Sequence, residues 1–122
     1  MELTGLGLPS DSAIPLKHAK VLRGLFQMSL DITNRCNFRC LHRYDRSGEN
    51  PIVTDELSDE ELINLARDVA TFHLYNFCFC GGEPLLRKDL MCTMARILVD
   101  SGSMISFVSN GSLMTPEIAR DL

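Results

Sequence analysis

The stretch "LYNFCFCGGEPLLRKDLMCTMARIL", residues 74–98, contains a strand, a turn and a helix in direct succession. Residues 74–80 are a short run rich in apolar and aromatic side chains, which is typical of a buried strand, and two glycines end it. From about Lys88 onward apolar residues recur at helical spacing, and Gly102 is suited to cap the helix at its carboxyl end. The apolar residues of this helix are Leu90, Met91, Met94, Ile97 and Leu98. The stretch therefore predicts one strand-helix unit.

A second unit precedes it in the chain. Residues 26–33, "FQMSLDIT", alternate in polarity and are β-prone, which predicts a strand. Ser58 and Glu61 form a capping-box pattern, so a helix is predicted over residues 59–72. Its apolar residues recur at helical spacing: Leu62, Leu65, Ala66, Val69 and Phe72.

A third unit follows. Residues 104–111, "MISFVSNG", predict a strand that ends in a turn at Asn110 and Gly111, and Thr115 followed by Pro116 is a good start for a helix. The order is strand, helix, strand, helix, strand, helix, with crossovers long enough to join parallel strands by right-handed connections. The predicted fold class is therefore α/β with a parallel sheet.

The sequences that follow the three predicted strands are unusual: "NRCNFRC", "CGGEP" and "SNG". In parallel sheets, ligands gather at the carboxyl ends of the strands. We therefore expect these three segments to converge on one site.

Composition limits the possible classes of function. The 122 residues carry a formal charge of -4 with the charges scattered, so neither a nucleic-acid surface nor a membrane surface is expected. Residues 1–25 are read as a lead-in and residues 26–122 as the domain. The sequence shows no secretory leader pattern and no apolar run long enough to span a bilayer, so a cytoplasmic protein is expected. In that setting, five cysteines indicate metal ligation or buried thiols rather than disulfides.

Two segments carry side chains suited to bind a ligand. Cys36 and Cys40 lie in a polar loop whose neighbouring cations favour thiolates, the form that soft iron sites need. Glu83 follows two glycines, which allow close approach of the backbone, and can present a carboxylate to a cation. The alternatives are two unliganded loop thiols and a tight turn with a solvated acid.

Together these residues resemble the radical S-adenosylmethionine family. In that family, a loop after the first strand has the pattern C-x3-C-x-aromatic-C, whose three cysteines bind three irons of a 4Fe-4S cluster. The fourth iron is left open for S-adenosylmethionine. Cys36 and Cys40 match the first two ligands, and His42 matches the aromatic position. The "GGEP" of residues 81–84 matches the second motif of the family.

The resemblance implies a role for each matching residue. Cys36 and Cys40 would hold the cluster. The backbone of Gly81 and Gly82 and the side chain of Glu83 would hold the amino group of S-adenosylmethionine. His42 would lie on the adenine side, and Asn110 would belong to a further cofactor-binding stretch.

The resemblance also implies a fold and an activity. The chain corresponds to half of a partial (β/α)6 TIM-like barrel. The family's enzymes cleave S-adenosylmethionine reductively to a 5'-deoxyadenosyl radical, which abstracts hydrogen from a substrate. The sequence of the cysteine loop is similar to that in branches of the family whose enzymes take part in the maturation of peptides, cofactors or metalloenzymes. The implied partners are a peptide, protein or small-molecule substrate and a reductant such as a flavodoxin or a ferredoxin.

One position departs from the family. Arg43 stands where the third cysteine is expected, and a guanidinium cannot ligate iron. Cys80, beside the glycine turn, is the one thiol considered as a substitute ligand. The alternative is that Cys78, Cys80 and Cys92 are unliganded and act as small buried hydrophobic residues. We therefore expect the chain to be inactive as written. The alternative is a non-catalytic binding module in which Arg43 neutralises an anion.

Overall fold

A computed structural model describes residues 25–42 and 55–122. Most of the lead-in predicted for residues 1–25 lies outside the described residues, and so does Arg43. The described elements are β1 (Gln27–Asp31), α1 (Asp59–Ala70), β2 (Asn76–Cys80), α2 (Lys88–Asp100), β3 (Met104–Phe107) and α3 (Pro116–Asp121). A 3-10 helix, Pro84–Arg87, leads directly into α2. The predicted order of strands and helices is confirmed.

The strands form a parallel sheet in the order β1-β2-β3. Asp31 pairs with Cys80 at the carboxyl end of the first ladder, and Cys78 pairs with Ser106 in the second. The predicted α/β class with parallel strands is therefore confirmed. Because the strands are parallel, the segments that follow them leave the sheet at the same edge.

The helices begin where the sequence predicts. Ser58 caps α1 by accepting a hydrogen bond from the Glu61 amide, and the Glu61 carboxylate accepts one from the Ser58 amide, which completes the capping box. Thr115 caps α3 in the same way by accepting from the Ile118 amide. Gly102, with a φ of 95°, ends α2, since the amides of Gly102 and Ser103 donate to the last carbonyls of the helix.

Several element boundaries differ from the predicted ones. Strand β1 begins at Gln27 rather than at residue 26, and strand β3 ends at Phe107, so Val108 and Ser109 already belong to the segment before the predicted turn. Strand β1 ends at Asp31 rather than at residue 33, because the chain beyond it turns into the cysteine loop. Helix α1 ends at Ala70, two residues before Phe72, which is exposed. Strand β2 begins at Asn76 rather than at residue 74.

The core lies on one face of the sheet. Phe77 and Phe79 alternate along β2 with residues of the other face, and both are fully buried against α1 and α2. The other buried apolar residues are Ile32, Leu62, Ala66, Val69, Leu74, Leu85, Leu90, Met91, Met94 and Leu98. On the opposite face, Cys78 and Cys80 are partly exposed. The two longer helices thus cover a single face of the sheet.

No helix within residues 25–42 and 55–122 is long and apolar enough to cross a membrane.

Candidate functional site

The glycine turn after β2 packs against the backbone of the cysteine loop. The Gly82 amide donates to the Thr33 carbonyl and the Glu83 amide to the Arg35 carbonyl, each at 2.9 Å. A Cβ added to Gly81 would lie 2.3 Å from the Thr33 oxygen, and one added to Gly82 would lie 2.1 Å from the Arg35 oxygen. The two glycines are therefore required by the neighbouring loop. From the sequence, the two glycines were expected to let the backbone approach a bound ligand closely. In the structure they let it approach the cysteine loop.

The Glu83 carboxylate is fully buried at the centre of the site. Its Oε1 accepts from the Leu85 amide at 3.1 Å and from the Ser109 hydroxyl at 2.9 Å, and its Oε2 accepts from the Asn110 amide at 2.9 Å. The alternative of a solvated acid in a tight turn is therefore wrong. A carboxylate has about four lone-pair positions, so these three donors leave one for a further partner.

The segment after β3 is joined to the cysteine loop by side chains. Asn110 Nδ2 donates to Asn37 Oδ1 at 3.0 Å, and Asn37 Nδ2 donates to Ser112 Oγ at 2.8 Å. The Ser112 hydroxyl in turn donates to Asn110 Oδ1 at 2.7 Å. Because Asn37 lies between the two loop cysteines, the three segments that follow the strands meet as predicted.

The loop cysteines themselves differ in exposure. Cys36 is half-buried, and its Sγ accepts a hydrogen bond from the Phe38 amide at 3.4 Å. Cys40 and His42 are exposed. The structure therefore brings Gly81, Gly82, Glu83 and Asn110 together beside the loop that carries Cys36, and it places Cys40 and His42 at the surface.

The thiols do not assemble into a metal site. All five cysteines of the sequence fall within the described residues. In that part of the chain, no three side chains of the His, Cys, Asp or Glu type are placed to hold a metal ion together. The candidate substitute ligand therefore does not join the two loop cysteines.

Cys80 instead contacts Cys78, which lies on the same face of β2. Their sulfur atoms are 3.5 Å apart. Burial, the hydrogen bond with Cys78 and the charges of Cys78 and Asp31 raise the pKa of Cys80 to about 11. A thiol with this pKa is protonated at neutral pH in the metal-free chain.

Two charged residues that sequence reasoning did not single out lie at the base of the loop. Glu56 and Arg87 are almost buried, with 18% and 10% of their side chains exposed. Partial burial acts to raise the pKa of Glu56. Hydrogen bonds from Thr33 and Asn34 and the charges of Arg35 and Arg87 outweigh it, so the pKa lies below its ordinary value.

The sequence held few signals for these supporting residues. A charged residue beside a helix start, such as Glu56 or Arg87, is also typical of a solvated helix end. Asn37, Ser109 and Ser112 lie within the loop segments, where small polar residues are common. The "SNG" after β3 was noted for Asn110, and the same signal would have pointed to Ser109.

Comparison with known proteins gives a consistent result. The sequence profile of the Radical SAM superfamily matches residues 30–122. The chain is 33% identical over 101 residues to GTP 3',8-cyclase of Geobacter sulfurreducens. The matched region covers 82% of this chain and 31% of that protein. It is 36% identical over 92 residues to Fe-coproporphyrin III synthase of Methanosarcina barkeri, covering 75% of this chain and 23% of that protein.

The chain spans about a third or less of the length of these relatives. No solved structure matches it significantly.

Proposed function

Because the chain belongs to the radical SAM superfamily, we propose that it is the N-terminal part of a catalytic domain that binds S-adenosylmethionine at the carboxyl edge of its sheet. The observation that carries the proposal is the buried Glu83 carboxylate, which is held between the glycine turn and the segment after β3 and lies beside the cysteine loop. As written, with Arg43, the chain is proposed not to hold a stable 4Fe-4S cluster.

The architecture supports half of a partial (β/α)6 barrel. The strands have the same order in the sheet as in the sequence. When such parallel strands are joined by right-handed crossovers, all the connecting helices lie on the same face of the sheet. Here α1 and α2 cover one face, and Cys78 and Cys80 lie on the other. In a barrel the second face becomes the interior.

The residues at the sheet edge fit the amino group of S-adenosylmethionine. An ammonium has three N–H donors and needs acceptors. Glu83 keeps one lone-pair position that its three donors leave unfilled, and because the carboxylate is fully buried in this structure, the ammonium would reach it only after a local rearrangement. No donor from the described residues reaches the Gly81 and Gly82 carbonyls, which offer two more acceptors. When bound, S-adenosylmethionine would supply the sulfonium group that the family cleaves, and the task of this chain is to hold and orient it.

Two further residues have more limited roles in the proposal. The side chain of Asn110 is engaged by Asn37 and Ser112, so Asn110 is assigned to positioning the Glu83 carboxylate through its backbone amide. His42 is assigned to the adenine side, as the family pattern implies, from its exposed place beyond Cys40.

The donor set does not fit a 4Fe-4S cluster of the family's kind. Such a cluster needs three thiolates from the loop, and Cys36 and Cys40 supply two. Arg43 cannot replace the third, and Cys80 contacts Cys78 instead. No cleavage step is therefore assigned to this chain as written.

The substrate class is proposed from the relatives. GTP 3',8-cyclase and Fe-coproporphyrin III synthase are named for small molecules. Among peptides, proteins and small molecules, we favour a small-molecule substrate for the complete domain. A flavodoxin or ferredoxin reductant would be needed only by a form that carries a cluster.

The proposal is tested by restoring the missing ligand. We expect Arg43→Cys to take up about four irons and four sulfides per chain on anaerobic reconstitution, with visible absorption that dithionite bleaches. The unchanged chain is expected to stay well below this loading. Arg46→Cys is the matched control, since it adds a thiol three residues beyond the pattern position.

The measurement is best repeated in a chimaera that continues the chain with the remaining segment of a relative, so that poor folding is not mistaken for poor ligation. Equal loading of the unchanged chain and Arg43→Cys would show that another ligand serves. A folded Arg43→Cys chimaera that takes up no cluster would overturn the proposal in favour of a non-catalytic binding module.

A further inference from the structure

The cysteine loop leaves the sheet after β1 and returns to the start of α1, and Glu56 joins these two ends. Glu56 Oε1 accepts from the Thr33 hydroxyl and from the Asn34 amide, both at 2.7 Å. Its Oε2 lies 3.7 Å from Arg35 Nε. A single carboxylate on the returning end thus binds three consecutive residues of the outgoing end.

Arg87, the last residue of the 3-10 helix, binds both ends from the other side. Its Nη1 donates to the Ile32 carbonyl at 2.6 Å. Its Nη2 donates to the Leu57 carbonyl at 3.1 Å and to the Asp59 carboxylate. The same guanidinium lies 3.9 Å from Glu56. A nearly buried guanidinium is costly unless its donors are satisfied, and here four acceptors surround it.

We propose that Glu56 and Arg87 form a loop clasp: two positioning residues that fix the base of the cysteine loop beside the Glu83 turn before any ligand binds. The clasp holds Thr33 and Arg35, and the carbonyls of these two residues receive the Gly82 and Glu83 amides. It therefore sets the position of the loop relative to the carboxylate that the proposed function assigns to S-adenosylmethionine.

The clasp acts on the cysteines only through the backbone. Its contacts lie at residues 32–35 and 56–59, and Cys36 is the next residue along the chain. An effect on Cys36 with an intact core is therefore what a positioning role predicts. A residue that merely stabilised the domain would change the protection of α2 to the same extent.

The first experiment uses the chain as it is, without metal. Glu56→Gln turns an amide toward Arg35 and Arg87, and Arg87→Lys replaces a fork of donors by a single ammonium. Hydrogen exchange read by mass spectrometry over residues 33–38, and alkylation of Cys36, are expected to become about tenfold faster in each variant, since hydrogen bonds to charged groups are the stronger ones. Amide exchange in α2 is expected to change much less than that of residues 33–38.

Matched controls carry the same substitutions at exposed positions. Glu60→Gln lies in the first turn of α1, and Arg96→Lys lies on α2. Both are expected to leave the exchange of residues 33–38 unchanged. Unchanged loop exchange in the clasp variants would overturn the proposal. So would equal loss of protection in α2, because the pair would then be holding the domain rather than the loop.

A second arm rests on the proposed function. In the Arg43→Cys background, Glu56→Gln is expected to lower cluster loading severalfold and to change the electron paramagnetic resonance signal of the reduced cluster, whereas Glu60→Gln changes neither. Normal loading and an unchanged signal would overturn the clasp as a device for placing the loop. If a folded Arg43→Cys chimaera without the Glu56 substitution loads no cluster, the proposed function fails, and the metal-free experiment still decides the clasp.

Discussion

Replacing Glu83 by glutamine tests the centre of the site, because glutamine has nearly the same shape but only one oxygen. Glu83 accepts from Leu85 and Ser109 at one oxygen and from Asn110 at the other. Whichever way the amide is turned, its NH2 group faces at least one of these donors. The orientation that keeps two hydrogen bonds leaves the Asn110 amide without its acceptor.

The expected cost follows from these contacts. A hydrogen bond to a charged group contributes about 1.5–3 kcal/mol, and a buried donor left unpaired costs about 1–3 kcal/mol. Since Asn110 is near the surface and the two retained bonds only weaken, we expect Glu83→Gln to lower the free energy of unfolding by about 2–3 kcal/mol. With a urea m-value of about 1–3 kcal/mol/M, the midpoint should fall by about 1 M or more.

The assay is urea unfolding of both chains followed by circular dichroism, with the m-value checked for each. Glu117→Gln, an exposed acid in the first turn of α3, is the control and is expected to change the free energy by less than about 0.5 kcal/mol. A fall for Glu83→Gln no larger than that of the control would refute the reasoning. The carboxylate would then not be held by the three donors.

The remaining predictions concern the glycine turn and the paired thiols. Gly82→Ala places a Cβ 2.1 Å from the Arg35 oxygen, so it should destabilise the chain by about 1–3 kcal/mol and speed exchange of the Glu83 amide; unchanged protection of that amide would contradict the close approach. Because the pKa of Cys80 is raised to about 11, its alkylation by iodoacetamide should stay slow at pH 8 and rise toward pH 11. Cys78→Ala removes one hydrogen-bond partner and should shift this rise to lower pH, whereas an inflection near pH 8.5 in the unchanged chain would contradict the assigned causes.

The sequence predicted the elements well because their signals are local. The capping box at Ser58 and Glu61, the cap at Thr115 and the glycine after α2 each act within a few residues, and the structure has all of them. The strand ends were placed less well. Hydrogen bonding in the ladder, rather than composition, decides where β1 stops, and the chain departs from the ladder after Asp31.

The candidate site was predicted only in part, because only the local part of its signal is visible in the sequence. A motif such as "GGEP" marks Glu83, but the Thr33 and Arg35 carbonyls that require its glycines are almost 50 residues away in the chain. Glu56 and Arg87 likewise meet only in the folded chain, where each binds a residue of the loop base. Contacts of this range leave no periodicity or spacing that a single sequence could reveal.

The contacts that hold the base of the cysteine loop do not involve the thiols that would ligate a cluster. The glycine turn and the clasp hold residues 32–35 through hydrogen bonds that join residues within the described ranges 25–42 and 55–122. Cellular quality control removes proteins according to how often they unfold. A change of side chain at position 43 that leaves these contacts in place would therefore be hidden from it.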